Sequence, residues 1–214
     1  MIELWGRKNS YNVLKVLWTL AELNIEYKHH DVGSNVGDLE SPEFLAINPH
    51  GRIPVLIDKG SAIWESNTIV RYLCAVYGAN ILWLDNPLQR SYADRWMDWE
   101  LTTLEPDFRG LFWGFYRKPE GKRDYTKIEN SKSNCKRHFR LLDAHLEKNE
   151  FLAGEAFSMG DIPSASYLYR YFEMGVEVEK PVNVMAWYKR LSNRQAYQQI
   201  IVTPFDELRG REQF

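Results

Sequence analysis

The chain has 214 residues and a formal net charge of −2, and this length suffices for one large domain or two small ones. The charge balance argues against nucleic acid or an anionic membrane as a partner, because a protein that binds either one usually carries an excess of basic residues. No apolar run approaches the roughly 20 residues of a membrane-spanning helix.

Two hydrophobic periodicities alternate in the first 80 residues. Short apolar or alternating segments predict strands, and apolar residues spaced three and four apart predict helices. In chain order we expect a strand at 2–5, a helix at 11–23, a strand at 26–31, a short helix at 41–45, strands at 54–58 and 62–64, and a helix from 66. Ser41, followed by Pro42, is expected to cap the short helix, and Ser66 the last one. This order predicts an α/β domain over residues 1–80.

The pattern changes after residues 81–87, a turn-prone segment that we interpret as a linker. Residues 88–214 show only helical patterns and predict a second, all-helical domain. Its first long helix has an apolar face and is expected to kink at Pro106. Further helices are expected at 124–148, after a capping box at Ser158–Asp161, and at 183–193 and 195–202.

Four segments in this order resemble the cytosolic glutathione transferases. Residues 9–16 (NSYNVLKV) resemble the theta- and delta-like, serine-type members, bacterial ones included, in which a serine at this place activates glutathione. Residues 48–56 (NPHGRIPVL) resemble the family's loop with a cis-proline, residues 64–73 (WESNTIVRYL) its Glu-Ser-x-x-Ile motif, and residues 160–162 (GDI) its C-terminal folding cap.

The resemblance implies a thioredoxin-like domain followed by an all-helical substrate domain. It implies an enzyme that adds glutathione, its co-substrate, to a small electrophile or displaces a halide, with no metal ion. Family members are usually homodimers.

The N-terminus lacks the apolar stretch of a signal peptide, and Cys74 and Cys135 have no metal or redox spacing. Free thiols and a cytoplasmic location are therefore expected.

Two residues are candidates for stabilising the glutathione thiolate. A free thiol has a pKa near ~8.5, so a hydrogen-bond donor at the positive end of a helix is needed to ionise it at neutral pH. Ser10 stands at the predicted start of the first helix, and Asn12 is the alternative, with Asn9 nearby. A serine at this place can also be a simple helix cap.

The remaining motifs predict how the tripeptide is held. The backbone of Ile53, before Pro54, is expected to pair with the cysteinyl backbone as an added strand, although a trans proline at a strand start is the alternative. Ser66 and the helix N-terminus suit the γ-glutamyl carboxylate, and Glu65 suits the ammonium group. Arg52 is a candidate for the glycine carboxylate, and a solvated loop arginine is the alternative.

The electrophile site is predicted in the aromatic stretch at 109–117. Arg109 and Arg117 are eight residues apart, so in an α-helix they lie within about 80° of each other, with Trp113 between them. Two arginines around an indole suit a small anionic acceptor. Tyr116 belongs to the same stretch, and Trp5 is a candidate for the opposite wall. An aromatic core with surface arginines is the structural alternative.

Two other functions remain open. A glutathione-dependent isomerase, lyase or dehalogenase has the same fold, but the isomerase relatives carry an arginine and a nearby cysteine where this loop has Lys15 and Asn12. A non-enzymatic interaction protein of this fold is expected to lack Ser10, Glu65 and Ser66, and all three are present.

Overall fold

The computed structural model describes residues 1–33 and 37–212. Within them the chain forms two compact units, Met1–Trp83 and Leu84–Glu212. We refer to these as the N-terminal and the C-terminal unit. Over the described residues, no helix has the length and apolar character needed to cross a lipid bilayer.

The N-terminal unit is built on a mixed four-stranded sheet. Strands β1 and β2 are parallel, whereas β3 pairs antiparallel with both β1 and β4, which gives the order β2-β1-β3-β4. The elements are β1 (Ile2–Trp5), α1 (Tyr11–Glu22), β2 (Tyr27–His30), α2 (Pro42–Ile47), β3 (Val55–Asp58), β4 (Ser61–Trp64) and α3 (Ser66–Tyr77). The predicted element order and the thioredoxin-like α/β fold are confirmed.

Helices α1 and α3 pack together, and the sheet contributes to their core. Leu4 and Leu56 are fully buried in adjacent positions of β1 and β3. Every residue of α1 from Val13 to Leu20 is buried, including Lys15 and Thr19. A second cluster forms around Phe44 of α2 and includes Trp5 and Trp64. Helix α1 is thus enclosed more completely than a single apolar stripe indicates.

Of the two serines predicted to cap helices in the N-terminal unit, one caps its helix and the other does not. Ser41 caps α2, because its Oγ accepts a hydrogen bond from the Phe44 N–H at 3.2 Å. Ser66 does not cap α3 and is instead the first helical residue, whereas Glu65 is the N-cap with φ of 70°. A positive φ is uncommon for a residue with a side chain and often marks a functional position.

The C-terminal unit is helical. Its helices are α4 (Pro87–Trp99), α5 (Glu105–Leu111), α6 (Tyr125–Leu146), α7 (Asp161–Ala165), α8 (Leu168–Glu173), α9 (Val182–Ser192) and α10 (Gln195–Ile200). The helix expected after Ser158 is divided into α7 and α8. Between them the Ser166 hydroxyl donates to the carbonyl oxygen of Pro163 at 2.7 Å.

The helical stretch around Pro106 contains two segments of wider turns. Two π-helical segments, Glu100–Leu104 and Phe112–Arg117, flank α5, and Pro106 lies in its first turn. Proline has no N–H to donate to the preceding turn, and π-helical turns, although rare, are another source of irregularity in a helix. The second segment changes the angular spacing of the side chains between 109 and 117.

Asp161 organises the start of α7. Its Oδ1 accepts from the Leu152 N–H at 2.9 Å and from the Trp187 indole N–H at 3.1 Å. Its Oδ2 accepts from the Ser158 N–H at 3.0 Å, which is the acidic half of the predicted capping box. The Ser158 hydroxyl accepts from the Gly160 N–H at 3.3 Å. The carboxyl group therefore connects three segments of the C-terminal unit.

Candidate active site

Ser10 lies at the N-terminus of α1, as the sequence predicts. It has extended backbone geometry, with φ −81° and ψ 125°, and its carbonyl accepts from the Leu14 N–H at 2.9 Å. Within the described part of the chain, its hydroxyl makes no hydrogen bond that caps the helix. The side chain is only partly buried. Because the hydroxyl is not used for capping, it is available to a ligand at the positive end of α1.

Asn12, in the first turn of α1, is tied to α3. The Ser66 hydroxyl donates to Asn12 Oδ1 at 3.2 Å. This bond assigns the oxygen end of the amide to Ser66 and leaves the NH₂ end as the donor. The first turns of α1 and α3 are thereby joined by two of the residues that the sequence predicts as ligands.

The loop before β3 has a cis peptide bond between Ile53 and Pro54. The Asn48 side chain stabilises this loop by two hydrogen bonds. Asn48 Nδ2 donates to the Arg52 carbonyl oxygen at 2.7 Å, and Asn48 Oδ1 accepts from the His50 N–H at 3.1 Å. Asn48 is buried and Arg52 is exposed. Sequence reasoning did not identify Asn48, although an amide side chain before a proline is a common turn signal.

Gly6 connects this loop to α1. Its φ is 147°, and a Cβ placed there would lie 2.7 Å from Val13 Cγ2 and 3.2 Å from Ile53 Cβ. Only glycine fits such a close approach without displacing its neighbours. The segment that carries Ser10 and the loop that carries Ile53 thus meet at one residue, which sequence reasoning also missed.

The start of α3 has the form of an anion site. Ser66 and Asn67 are buried in its first turn, whereas the Glu65 side chain is exposed. The first N–H groups of a helix have no partner within the helix, and together with the helix dipole they attract negative charge. Glu65 provides a carboxylate beside them that suits an ammonium group.

The structure separates the predicted electrophile residues into different environments. Trp5 packs within the N-terminal unit, with its ring 4.0 Å from the His30 ring and nearly parallel to it. Arg109 is exposed and forms an ion pair with Glu105 at 3.5 Å, one turn earlier. Trp113 is partly buried, and the Arg117 guanidinium lies 4.1 Å above its ring.

Arg117 and Tyr116 are buried against the C-terminal segment. Arg117 Nε donates to the Arg211 carbonyl oxygen at 2.8 Å, and the Gly210 N–H donates to the Tyr116 carbonyl oxygen at 3.0 Å. Burial raises the pKa of Tyr116. These contacts agree with the structural alternative for Arg117, which holds the segment that follows α10.

The protein thiols are not suited to covalent chemistry. Cys74 and Cys135 are fully buried, and burial raises the pKa of each thiol to about 12. A reactive cysteine is a thiolate, so a thiol reaction at this protein requires an external thiol. Over the described residues, no group of three or more His, Cys, Asp or Glu side chains is arranged to hold a metal ion.

The known proteins that this chain resembles belong to one family. Residues 1–75 match the family "Glutathione S-transferase, N-terminal domain", and residues 97–195 match "Glutathione S-transferase, C-terminal domain". The chain is 42% identical to glutathione S-transferase GstB of Escherichia coli K12 over 206 residues, which cover 95% of this chain and 99% of that protein. It is 30% identical over 190 residues to glutathione S-transferase F10 of Arabidopsis thaliana, covering 85% and 88% of the two chains.

A solved structure gives the same result. The theta-class glutathione S-transferase of Xanthomonas axonopodis pv. citri, with glutathione bound, superposes with a TM-score of 0.91 at 41% identity, covering 95% of this chain and 98% of that one. The likeness extends over both units, at an identity that reflects common descent and not fold alone. The chain therefore belongs to the glutathione S-transferase family and is a glutathione transferase.

Proposed function

We propose that this transferase binds glutathione as its co-substrate in the N-terminal unit and ionises the thiol with the hydroxyl of Ser10. The observation that carries the proposal is that this hydroxyl lies at the N-terminus of α1 without serving as its cap, over the residues that the structure describes. The glutathione-bound relative from Xanthomonas supports glutathione as the ligand.

The chemistry needs stabilisation of a sulfur anion without a strong base. A charge-assisted hydrogen bond contributes about 1.5–3 kcal/mol, which corresponds to a pKa depression of about 1–2 units. The thiolate then forms a carbon–sulfur bond with the acceptor. In a displacement the leaving halide takes the electron pair of the broken bond, and in an addition the acceptor takes a proton from water. Asn12, through its NH₂ end, is the competing donor.

The tripeptide is held by three segments of the N-terminal unit. When glutathione binds, the Ser66 hydroxyl turns from Asn12 Oδ1 to the γ-glutamyl carboxylate, because a hydroxyl has one hydrogen to donate. The first N–H groups of α3 bind the same carboxylate, and Glu65 binds the adjacent ammonium group. The backbone of Ile53 pairs with the cysteinyl backbone. Arg52, exposed one residue earlier, binds the glycine carboxylate, and Asn9 lies beside Ser10 at the thiol end.

The acceptor is a small electrophile that contacts an aromatic surface. Trp113, partly exposed and stacked with Arg117, offers a flat ring beside a cation, and Arg109 provides an exposed positive charge. Trp5 and Tyr116 are packed in their own units, so we assign them a supporting role. These features favour an aromatic or halogenated acceptor with some negative charge.

We also propose a homodimer in the cytoplasm. Helix α4 exposes two large side chains one turn apart, with 65% of Leu88 and 37% of Tyr92 accessible. An exposed apolar row on one helix is typical of an interaction surface. Light scattering of the purified protein tests this, because a monomeric mass would contradict it. The two free cysteines suit a reducing compartment.

The proposed function is tested by binding and turnover together. Calorimetry with glutathione should show binding, and a set of halo-nitrobenzene, haloacetate and hydroperoxide acceptors should identify at least one that is consumed with glutathione. Purified protein that neither binds glutathione nor is retained on immobilised glutathione would contradict the proposal. Isomerisation of a substrate with glutathione regenerated unchanged would favour the isomerase alternative.

A further inference from the structure

All four polar groups of Asn48 form hydrogen bonds at the end of α2 and in the loop that follows it. Its N–H donates to the Phe44 carbonyl oxygen at 2.9 Å, and its own carbonyl oxygen accepts from the Gly51 N–H at 3.0 Å. Its side-chain amide adds the bonds to the His50 N–H and the Arg52 carbonyl oxygen. The residue is only 2% exposed. Because both ends of the amide are bonded, it has a single orientation, and the backbone groups that it binds are held in turn.

The bond to Arg52 determines the direction of the next N–H. The Arg52 carbonyl group and the Ile53 N–H belong to one peptide unit, and the cis bond of this loop is the following one, between Ile53 and Pro54. In a trans peptide unit the C=O and the N–H point in opposite directions. Because the Arg52 carbonyl oxygen lies 2.7 Å from Nδ2 of the buried Asn48 side chain, the Ile53 N–H points away from that side chain.

The backbone of Ile53 is thus held in direction but is not part of the sheet. Strand β3 begins at Val55. Over the residues that the structure describes, neither the N–H nor the C=O of Ile53 forms a hydrogen bond with another backbone group, and the residue is only partly buried. Backbone groups in this state can pair with the backbone of an extended peptide.

We infer that Asn48 is a positioning residue for glutathione, and that it holds the Arg52–Ile53 peptide unit so that the Ile53 N–H donates to the cysteinyl carbonyl oxygen of the tripeptide. The inference rests on the proposed function, because it requires that the cysteinyl backbone pair with Ile53. It adds the residue that directs this bond and the ligand atom that accepts it. Asn48 acts through the peptide unit and not on the reacting sulfur.

The test combines a change at Asn48 with a change in the ligand carbonyl. The first ligand is S-methylglutathione, which removes thiol ionisation from the measurement. The second is the same compound with glycolate in place of glycine, so that the cysteinyl carbonyl belongs to an ester, which is a weaker hydrogen-bond acceptor than an amide. The loss of the glycine N–H affects every protein alike and cancels when variants are compared. Dissociation constants are measured by calorimetry for the wild type, Asn48→Asp and Asn48→Ala.

Asn48→Asp keeps an acceptor for the His50 N–H, but its carboxylate has no hydrogen to donate to the Arg52 carbonyl oxygen. We expect it to bind S-methylglutathione about tenfold more weakly, because one hydrogen bond to the ligand is lost. The ester should weaken binding to the wild type about three- to tenfold and binding to this variant less than about twofold. Asn48→Ala, which removes both side-chain bonds, should show the same pattern and replaces Asn48→Asp if that variant does not fold.

The control variant is Ser41→Ala, at the opposite end of the same helix. It removes the 3.2 Å hydrogen bond from the Phe44 N–H to Ser41 Oγ that caps α2, and it leaves the side-chain bonds of Asn48 in place. It should lower thermal stability, as loss of a helix cap does, without changing the dissociation constant of either ligand.

Three results would overturn the inference. In the first, the Asn48 variants lose only thermal stability, as Ser41→Ala does. In the second, they lose affinity, but the ester weakens their binding as much as it weakens binding to the wild type. In the third, the wild type binds both ligands equally well. If the wild type does not bind S-methylglutathione at all, the proposed function itself fails before Asn48 is tested, so the two failures are distinguishable.

Discussion

The hydroxyl of Ser66 donates a hydrogen bond to Asn12 Oδ1 across 3.2 Å, although 54 positions separate the two residues in the chain. The bond joins the first turns of two helices whose N-termini both attract negative charge. It also engages one end of the Asn12 amide, whereas the Ser10 hydroxyl is not used by α1 as a cap. This difference makes the roles of Ser10 and Asn12 separable by experiment.

Ser10→Ala should lower kcat/KM about ten- to hundredfold at about pH 6.5, because one charge-assisted hydrogen bond to the thiolate is lost. The pKa of bound glutathione should rise by about 1–2 units toward its free value. The loss of activity should therefore shrink as the pH rises through that pKa. Ultraviolet titration of the thiolate and the pH dependence of kcat/KM measure both effects.

The matched variant is Asn12→Ala. It breaks the bond to Ser66 and should weaken glutathione binding more than it changes the thiol pKa. If Ser10→Ala leaves the thiolate titration unchanged and Asn12→Ala shifts it, the roles of the two residues are reversed.

Gly6→Ala should lower the free energy of unfolding by about 1–3 kcal/mol, because the added Cβ meets Val13 and Ile53 and the backbone has a φ of 147°. Glutathione affinity should also fall, since Ile53 must move. Urea unfolding and calorimetry measure these changes. Gly60→Ala is the control, because Gly60 also has a positive φ, of 80°, but no atom within 4 Å of the added Cβ. Equal effects of both substitutions would show that the backbone conformation alone is responsible.

Much of the fold follows from local patterns in the sequence. The apolar spacing of α1, the Ser-Pro start of α2 and the short apolar segments of β3 and β4 predict their elements, because each depends on neighbours along the chain. The form of the irregularity at Pro106 does not follow in this way. A proline predicts a local irregularity in the helix, but it does not predict the two π-helical segments on either side of α5.

The candidate site was predictable as a set of motifs but not as a set of contacts. Ser10, Ser66 and the Ile53–Pro54 loop were identified from resemblance to a family. The burial of Lys15 was not, since a lysine is usually at the surface and its burial in α1 depends on packing that the sequence does not specify. Arg117 was placed beside Arg109 by α-helical spacing, but spacing does not predict that Arg117 is buried whereas Arg109 is exposed.

The two cysteines should be inert in the folded protein. With a pKa of about 12 for each thiol, about one molecule in 10⁴ carries a thiolate at pH 8, and burial blocks access of a reagent. A disulfide reagent such as Ellman's should therefore detect no thiol in the native protein and two after unfolding in guanidinium. Rapid labelling of Cys74 or Cys135 in the native state would contradict this and would allow a mixed disulfide with glutathione.

The contribution of Asp161 to stability should fall as the pH rises, whereas that of a surface carboxylate in an ion pair rises with pH. Burial raises its pKa from 3.8 to about 6, although the N–H groups of Leu152, Ser158 and Trp187 lower it in part. The folded protein thus binds a proton more tightly than the unfolded chain. The stabilisation from this group is fully present below pH 3.8 and is lost as the pH rises through about 6.

The lost stabilisation amounts to about 3 kcal/mol, because each pKa unit corresponds to 1.36 kcal/mol. Asp161→Asn cannot ionise, so the difference in unfolding free energy between wild type and variant should be greater at pH 4.5 than at pH 7.5, by about 2 kcal/mol of this total. Urea unfolding at the two pH values measures it. If Asp161→Asn does not fold, ¹³C NMR titration of the carboxyl carbon in the wild type gives the pKa directly. A value at or below 3.8 would mean that the three donors outweigh burial, and the carboxylate would then be ionised throughout the physiological range.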